Sequence, residues 1–330
     1  MENQDFRKKP LIILAGPTAV GKTGLSVQLA KRLNGEIISA DSMQVYRGMD
    51  IGTAKITREE MEGVRHHLID VLDPREAFNV FTFQQMAREA VLRTHEAGHV
   101  PIVVGGTGFY IQSLLYDIDF DVRADSRGIR GELQKELEEK GAAAMHEELS
   151  RIDPESALAI HPNNTKRVLR AIEFYRTTGK KISQHNAEQQ RRETPYRFRY
   201  FVLTMERQAL YRRIDLRVDQ MVADGLFEEV KRLRDEGLSS DLVSMQGLGY
   251  RQVFDYLEGA ATREEAVQRI KLETRHFAKR QITWFKREPY AEWVRLEDFG
   301  GSRRKVLAYL TEECLRWLGR AADAGEQPLV

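Results

Sequence analysis

The run Gly16-Pro17-Thr18-Ala19-Val20-Gly21-Lys22-Thr23 sets two glycines ahead of a lysine and a threonine, in the spacing G-x-x-x-x-G-K-[ST]. Glycines let the backbone curl until its N–H groups converge on phosphate oxygens, and a following helix N-terminus adds positive potential. Lys22 supplies a cation for the phosphates, and the Thr23 hydroxyl suits a Mg²⁺ ligand. The motif calls for phosphates without saying which ester binds or what becomes of it. Asp41 follows an apolar run and offers a carboxylate that can hold Mg²⁺, accept a proton, or cap the turn at Ser42 and Met43. His66 and His67 near Asp70 have metal-binding side chains, but neighbours on a strand point opposite ways and no second pair has metal spacing. Cys314 sits in an amphipathic helical pattern and reads as a helix residue rather than a nucleophile.

The elements around these residues are those such a site needs. Leu11-Ile12-Ile13-Leu14-Ala15 is an unbroken apolar run, as expected of a parallel strand buried on both faces. Residues 21–34 carry Leu25, Leu29 and Leu33 at helical spacing and stop at Asn34-Gly35. Further strands are read at 36–40, 102–104, 201–204 and 293–296. Strands alternating with helices predict an α/β fold, a P-loop NTPase-like parallel sheet with helices on both faces. In the open edge of such a sheet, Asp41 stands beside the phosphate loop. Strand signals vanish between residues 119 and 199, where helices at 131–140 and 165–177 dominate. The organisation read is therefore a core of 1–118 and 200–330, with C-terminal helices, interrupted by a helical insertion over 119–199. Helices are also expected over 206–237, broken near Gly225, and from the Thr262–Glu265 capping box to about Arg287, before Pro289.

A chain of 330 residues with 42% hydrophobic content can bury a sizeable core. Its net charge of +1 means that any nucleic-acid role must rest on local patches. The single cysteine excludes an internal disulfide and fits a reducing cytoplasm. Residues 1–10 are polar, without the apolar stretch of a signal peptide, and the run 11–16 is too short to cross a bilayer. A cytoplasmic protein with no membrane association is the expectation.

A set of ordered motifs makes the reading specific. Residues 18–23 (TAVGKT), Ser39-Ala40-Asp41-Ser42-Met43-Gln44-Val45-Tyr46 and Asp50-Ile51-Gly52-Thr53-Ala54-Lys55 resemble the tRNA dimethylallyltransferases, also called tRNA isopentenylpyrophosphate transferases. The resemblance continues through His67-Leu68-Ile69-Asp70, Gly105-Gly106-Thr107, His161-Pro162-Asn163, Lys166-Arg167-Val168-Leu169-Arg170, Gly249-Tyr250-Arg251 and Lys279-Arg280-Gln281-Ile282-Thr283-Trp284, spanning about residues 11–287. It implies transfer of a dimethylallyl group from its diphosphate to N6 of the adenine beside a tRNA anticodon (position 37), by a Mg²⁺-dependent enzyme expected to act as a monomer. It further implies that the phosphate loop holds the diphosphate with Mg²⁺ at Thr23, that Thr18 lies near the bridging oxygen, and that Arg217 also reaches the diphosphate. Asp41 matches the general base. Asp41, Ser42, Met43, Gln44, Thr107, Arg130, the 166–170 run, Arg251, Lys279, Arg280, Gln281 and Trp284 match positions expected to meet the anticodon stem-loop. Lys166 stands where the family often has arginine or glutamine, which keeps a charge but loses a planar fork and leaves a phosphate contact.

That chemistry suits these residue types. An allylic diphosphate ionises at C1 as charge builds on the leaving oxygens, which N–H groups, Lys22, Arg217 and Mg²⁺ would stabilise. Adenine N6 is a poor nucleophile, and a base removing its proton helps. The base must leave its stack for a pocket that excludes water. On a helical projection Arg275, Lys279 and Lys286 share one stripe, flanked by Arg280 and Arg287, which fits either RNA phosphates or an ordinary solvated face. A second basic set comprises Lys166, Arg167, Arg170, Arg176, Lys180, Lys181, Arg191, Arg192, Arg197 and Arg199. A P-loop kinase of a small metabolite or nucleotide would explain residues 16–23 and Asp41 but not the 279–284 motif. A nucleotide-gated RNA-binding module is a third reading, with Asp41 holding only Mg²⁺.

Overall fold

The computed structural model describes residues 8–120, 126–190 and 192–322. Two compact units emerge, one of Met1–Leu115 with Pro195–Val330 and one of Tyr116–Thr194. The first begins with β1 (Lys9–Ala15), α1 (Lys22–Leu33), β2 (Gly35–Ala40), β3 (His66–His67), α2 (Val80–Glu96), β4 (Val100–Gly105) and α3 (Gly108–Leu115). The second carries α4 (Ser126–Ile152), α5 (Pro154–Ala159), α6 (Thr165–Thr178) and α7 (Ile182–Gln190). The first unit resumes with β5 (Tyr196–Thr204), α8 (Arg207–Ala223), α9 (Leu226–Asp235), α10 (Tyr250–Leu257), α11 (Arg263–Phe285), β6 (Ala291–Arg295) and α12 (Arg303–Ala322).

The six strands form one sheet in the order β3-β2-β4-β1-β5-β6, and every pairing is parallel. Ile12 and Leu14 of β1 join a core with Leu25 and Leu29 of α1 and Val306, Leu310 and Cys314 of α12. Leu11 and Ile13, which alternate to the opposite face, are equally buried, as the unbroken apolar run predicts. Cys314 is therefore a core residue. Among the described residues, no helix is long and apolar enough to cross a membrane.

In the second unit, α4 bends at Gly141, whose φ is +82°. Its core joins Leu133, Met145 and Leu149 of α4 to Val168, Ala171 and Ile172 of α6.

Two boundaries differ from the sequence reading. β5 starts at Tyr196, pairing with Lys9, so residues 196–199 are sheet. Its first half reads as a basic loop because it carries Arg197 and Arg199. Arg197 is in fact buried with its guanidinium over the Trp317 ring, and Arg199 pairs with Glu292 and Glu313. α11 ends at Phe285 rather than near Arg287. Pro289 disfavours the helical conformation in the residue before it, and Arg287 and Glu288 close tighter turns onto Trp284 and Phe285.

Candidate active site

The phosphate loop leaves β1 at Ala15 and enters α1 at Lys22, at the C-terminal edge of the parallel sheet. A side chain at Gly16, where φ is +151°, would lie 2.6 Å from the Leu203 carbonyl oxygen on β5. Only glycine lets the loop run this close to the neighbouring strand. The Lys22 ammonium donates to the carbonyls of Gly16 at 2.9 Å and Pro17 at 2.8 Å, folding back into its own loop. Desolvation, with Arg217 beside it, pulls Lys22 down to about 7, while Asp41 pulls the other way.

Arg213 and Arg217 stand one turn apart on α8 and face the loop. Arg213 Nε donates to the Ala19 carbonyl at 2.8 Å, and Arg217 Nη1 reaches the Thr18 hydroxyl at 3.4 Å. Burial holds Arg217 below the usual guanidinium value, and Asp41 opposes this. Lys22, Thr23, Arg213, Arg217 and Arg303 border a cavity of about 420 Å³ whose lining contains no carboxylate.

A second cavity, of about 400 Å³, adjoins the first along Ala19 and Arg217. Thr18, Asp41 and Thr107 line it together with Ile214, Val218, Met221, Ile270 and Phe277. Asp41 Oδ1 accepts from the Met43 N–H at 2.8 Å and the Gln44 N–H at 3.3 Å. The side chain thus does cap its turn, on Met43 and Gln44 rather than Ser42, while its carboxylate borders the cavity. The capping and reactive readings are compatible, since one oxygen suffices for the turn.

The 41–55 loop is held from beneath. Glu229 on α9 accepts from the N–H groups of Asp50 and Ile51, both at 2.8 Å, and of Gly52 at 3.1 Å, while the Tyr250 hydroxyl donates to it at 2.6 Å. Lys55, its side chain nearly buried, binds the Tyr46 carbonyl, Asp50 and Asp70. Glu229→Ala would leave three partly buried N–H donors and the buried Tyr250 hydroxyl without their acceptor, and we expect it to lower unfolding stability by roughly 1–3 kcal/mol. Urea unfolding should show this as an earlier midpoint, and a midpoint within error of wild type would mean that water replaces the carboxylate.

Comparison with known proteins gives the family. The sequence profile described as IPP transferase matches residues 44–288. The chain belongs to the IPP transferase family. It is 56% identical over 308 residues to a tRNA dimethylallyltransferase of Lachnoclostridium phytofermentans, covering 92% of this chain and 98% of that one. A crystal structure of a tRNA isopentenylpyrophosphate transferase from Bacillus halodurans superposes with a TM-score of 0.73 at 46% identity, covering 96% of this chain and 99% of that one. A eukaryotic dimethylallyltransferase, whose structures are described as acting on tRNA, gives a TM-score of 0.74 at 31% identity, over 87% of this chain and 74% of that one. The kinase reading finds no support among these IPP transferase relatives.

Several positions that the family resemblance assigns to tRNA turn out to be occupied within the protein. Gln281 is only 7% exposed, and its amide accepts from the Thr18 N–H at 2.9 Å and donates to the Gly106 carbonyl at 2.9 Å. It clamps the phosphate loop to the end of β4, and a side chain at Gly106 would strike it at 2.1 Å. Val168 is 1% exposed in the core of the second unit, with Leu169 packed against that core, because helical spacing turns them inward. Trp284 packs edge-on to Phe109, at 5.8 Å between ring centres. The Gln44 amide donates weakly to the carbonyls of Thr53 and Ala54, both at 3.3 Å, and Arg251 pairs with Glu273 in the cavity wall.

The rest stay open to solvent or to the cavity. Lys279 and Arg280 are exposed on α11, Ser42, Met43 and Thr107 border the cavity, and in the second unit Arg130, Lys166, Arg167 and Arg170 are exposed. Arg170 pairs with the neighbouring Glu173. The stripe on α11 is shorter than projected, since Arg275 grips Asp215 of α8 at 2.9 and 2.6 Å. The second basic set is also partly neutralised, Arg176 by Glu136 and Glu148 and Arg192 by Asp119, and Arg191 lies outside the described residues. His67 hydrogen-bonds Glu36 at 2.6 Å and His66 the Val64 carbonyl, so each has a structural partner.

Sequence reasoning missed Arg213, Arg303 and Glu229. Arg213 had a usable signal, its i,i+4 spacing from Arg217. Arg303 and Glu229 had none, because each meets its partners only across the fold.

Proposed function

We propose that the chain transfers a dimethylallyl group from dimethylallyl diphosphate to N6 of the adenine beside the tRNA anticodon, at position 37. One observation carries this: a cationic, carboxylate-free cavity meets a second one along Ala19 and Arg217, and the second is lined by the apolar Ile214, Val218, Met221 and Phe277 as well as by Thr18 and Asp41. An allyl diphosphate has that same division, charged at one end and apolar at the other, so its reacting C1–O bond would fall at the junction. The flipped adenine would enter the second cavity with N6 toward Asp41. As the N6–C1 bond forms, the C1–O bond breaks, the proton passes to Asp41, and the diphosphate leaves against the loop N–H groups, Lys22 and Arg217. Ile214, Val218 and Phe277 would keep water from the allyl carbon.

Magnesium belongs to the proposal as companion of the diphosphate. Thr23 lies in the first turn of α1, exposed beside Lys22, and Mg²⁺ sites of this kind draw most of their oxygens from phosphates and water. Bound there, the ion would neutralise charge on the leaving group. The exposed Lys279, Arg280 and second-unit cations supply phosphate contacts for tRNA. A cytoplasmic monomer completes the reading, the compartment being in keeping with a chain whose one cysteine forms no disulfide.

Incubation with dimethylallyl diphosphate and unmodified tRNA should raise the mass of the RNA by one dimethylallyl group and release pyrophosphate. Unchanged tRNA, alongside ADP formation from ATP and a small acceptor, would sink the proposal in favour of a kinase.

A further inference from the structure

Two guanidinium groups converge where the phosphate loop becomes helix. Arg213 comes from α8 and Arg303 opens α12, far away in sequence. A methyl group built on Gly21 would lie 3.4 Å from Arg213 Nη2 and 3.6 Å from Arg303 Nη2, so both overhang the last glycine of the loop. Arg213 is anchored through Nε to the Ala19 carbonyl, which fixes its guanidinium in place. Burial, and then the charge of Arg303, disfavour its protonated form.

Other arginines of this unit, such as Arg199, Arg251 and Arg275, have carboxylate partners. Arg303 and Arg213 form no ion pair with a described carboxylate, and the cavity they border has none in its lining. Two like charges brought together without a counter-ion favour a multivalent anion between them. Their position along the loop sets which part of that anion they meet. Arg217 and Thr18 border the second cavity, whereas Arg303 stands at Gly21, farther along the loop, and Arg213 reaches from Ala19 to the same glycine. The start of α12 is held firmly, because Val306, Leu310 and Cys314 lie in the core against α1.

We propose that Arg303, together with Arg213, binds the distal phosphate of the allyl diphosphate, while Lys22, Arg217 and the loop N–H groups hold the phosphate bonded to the allyl carbon. This rests on the diphosphate reading above. It makes the C-terminal helix part of the substrate site and gives the protein a means of telling diphosphates from monophosphates.

Calorimetry with inorganic pyrophosphate and with inorganic phosphate, on wild type, Arg303→Gln and Arg303→Lys, tests it. Arg303 is exposed, so neither variant should disturb folding. Arg303→Gln should bind pyrophosphate about tenfold more weakly, the loss of one charge-assisted contact at a solvent-facing position. Arg303→Lys should fall between, and phosphate and tRNA affinities should not move. Wild-type pyrophosphate affinity in Arg303→Gln overturns the assignment, as does an equal loss for phosphate, or a loss for tRNA alone. If wild type binds no pyrophosphate, the diphosphate reading fails and this proposal with it. If wild type binds and prenylates tRNA while Arg303→Gln matches it, only Arg303 is removed.

Discussion

Asp41→Asn is expected to lower kcat by about 10²–10⁴-fold while leaving the affinities for diphosphate and tRNA nearly unchanged. Asp41 Oδ1 holds the turn through the Met43 and Gln44 N–H groups, and an asparagine oxygen can accept the same two bonds. The substitution therefore keeps the loop's hydrogen bonds while removing the carboxylate's basicity and its charge. Asp41→Ala would lose both at once, so it is the weaker test although its activity should also be very low. A carboxylate that served Mg²⁺ instead would show weakened metal-dependent binding of the diphosphate, and excess Mg²⁺ would partly restore turnover. Steady-state kinetics across a magnesium series separates the two. Rescue by magnesium, or an Asn variant within a few-fold of wild type, would end the general-base assignment.

Lys22→Ala should reduce turnover by about 10²–10³-fold, because the ammonium answers charge that grows on the leaving oxygens as C1–O breaks. Binding of tRNA should hardly change. The lysine also predicts a pH signature. In the free protein, desolvation and Arg217 bring Lys22 down to about 7, and a bound diphosphate would restore its charge. Above pH 7, binding must then take up a proton, so pyrophosphate affinity falls as pH rises. Below pH 7, Lys22 is already charged and contributes no such slope. Pyrophosphate ionises too, but equally for both proteins, so the difference in slope between wild type and Lys22→Ala isolates the lysine. Identical slopes, or near-normal turnover in Lys22→Ala, would remove Lys22 from the proposed role.

What could be read from residues alone was whatever depends on neighbours in the chain. The apolar run 11–15 is a strand buried on both faces, the phosphate loop opens α1, and the Thr262–Glu265 capping box starts α11, because each is specified within a few residues. Asp41 could be placed beside the loop without coordinates, since parallel topology brings the C-terminal ends of β1 and β2 to one edge. Which polar groups remain free was decided by the tertiary structure. Gln281 sits in a motif that resembles an RNA contact, yet its amide joins Thr18 to Gly106. Arg275 lies on a basic stripe, yet it pairs with Asp215, and Arg197 looks like a tRNA grip but stacks on Trp317. Periodicity shows which way a side chain points along its own helix or strand, but not what another element has brought to meet it. Arg303 is the converse case, an unremarked residue at a helix start that the packing of α12 on α1 carries to the phosphate loop. Charge and hydrogen-bonding capacity are properties of a residue, whereas their availability depends on partners distant in sequence, and only the folded chain supplies those.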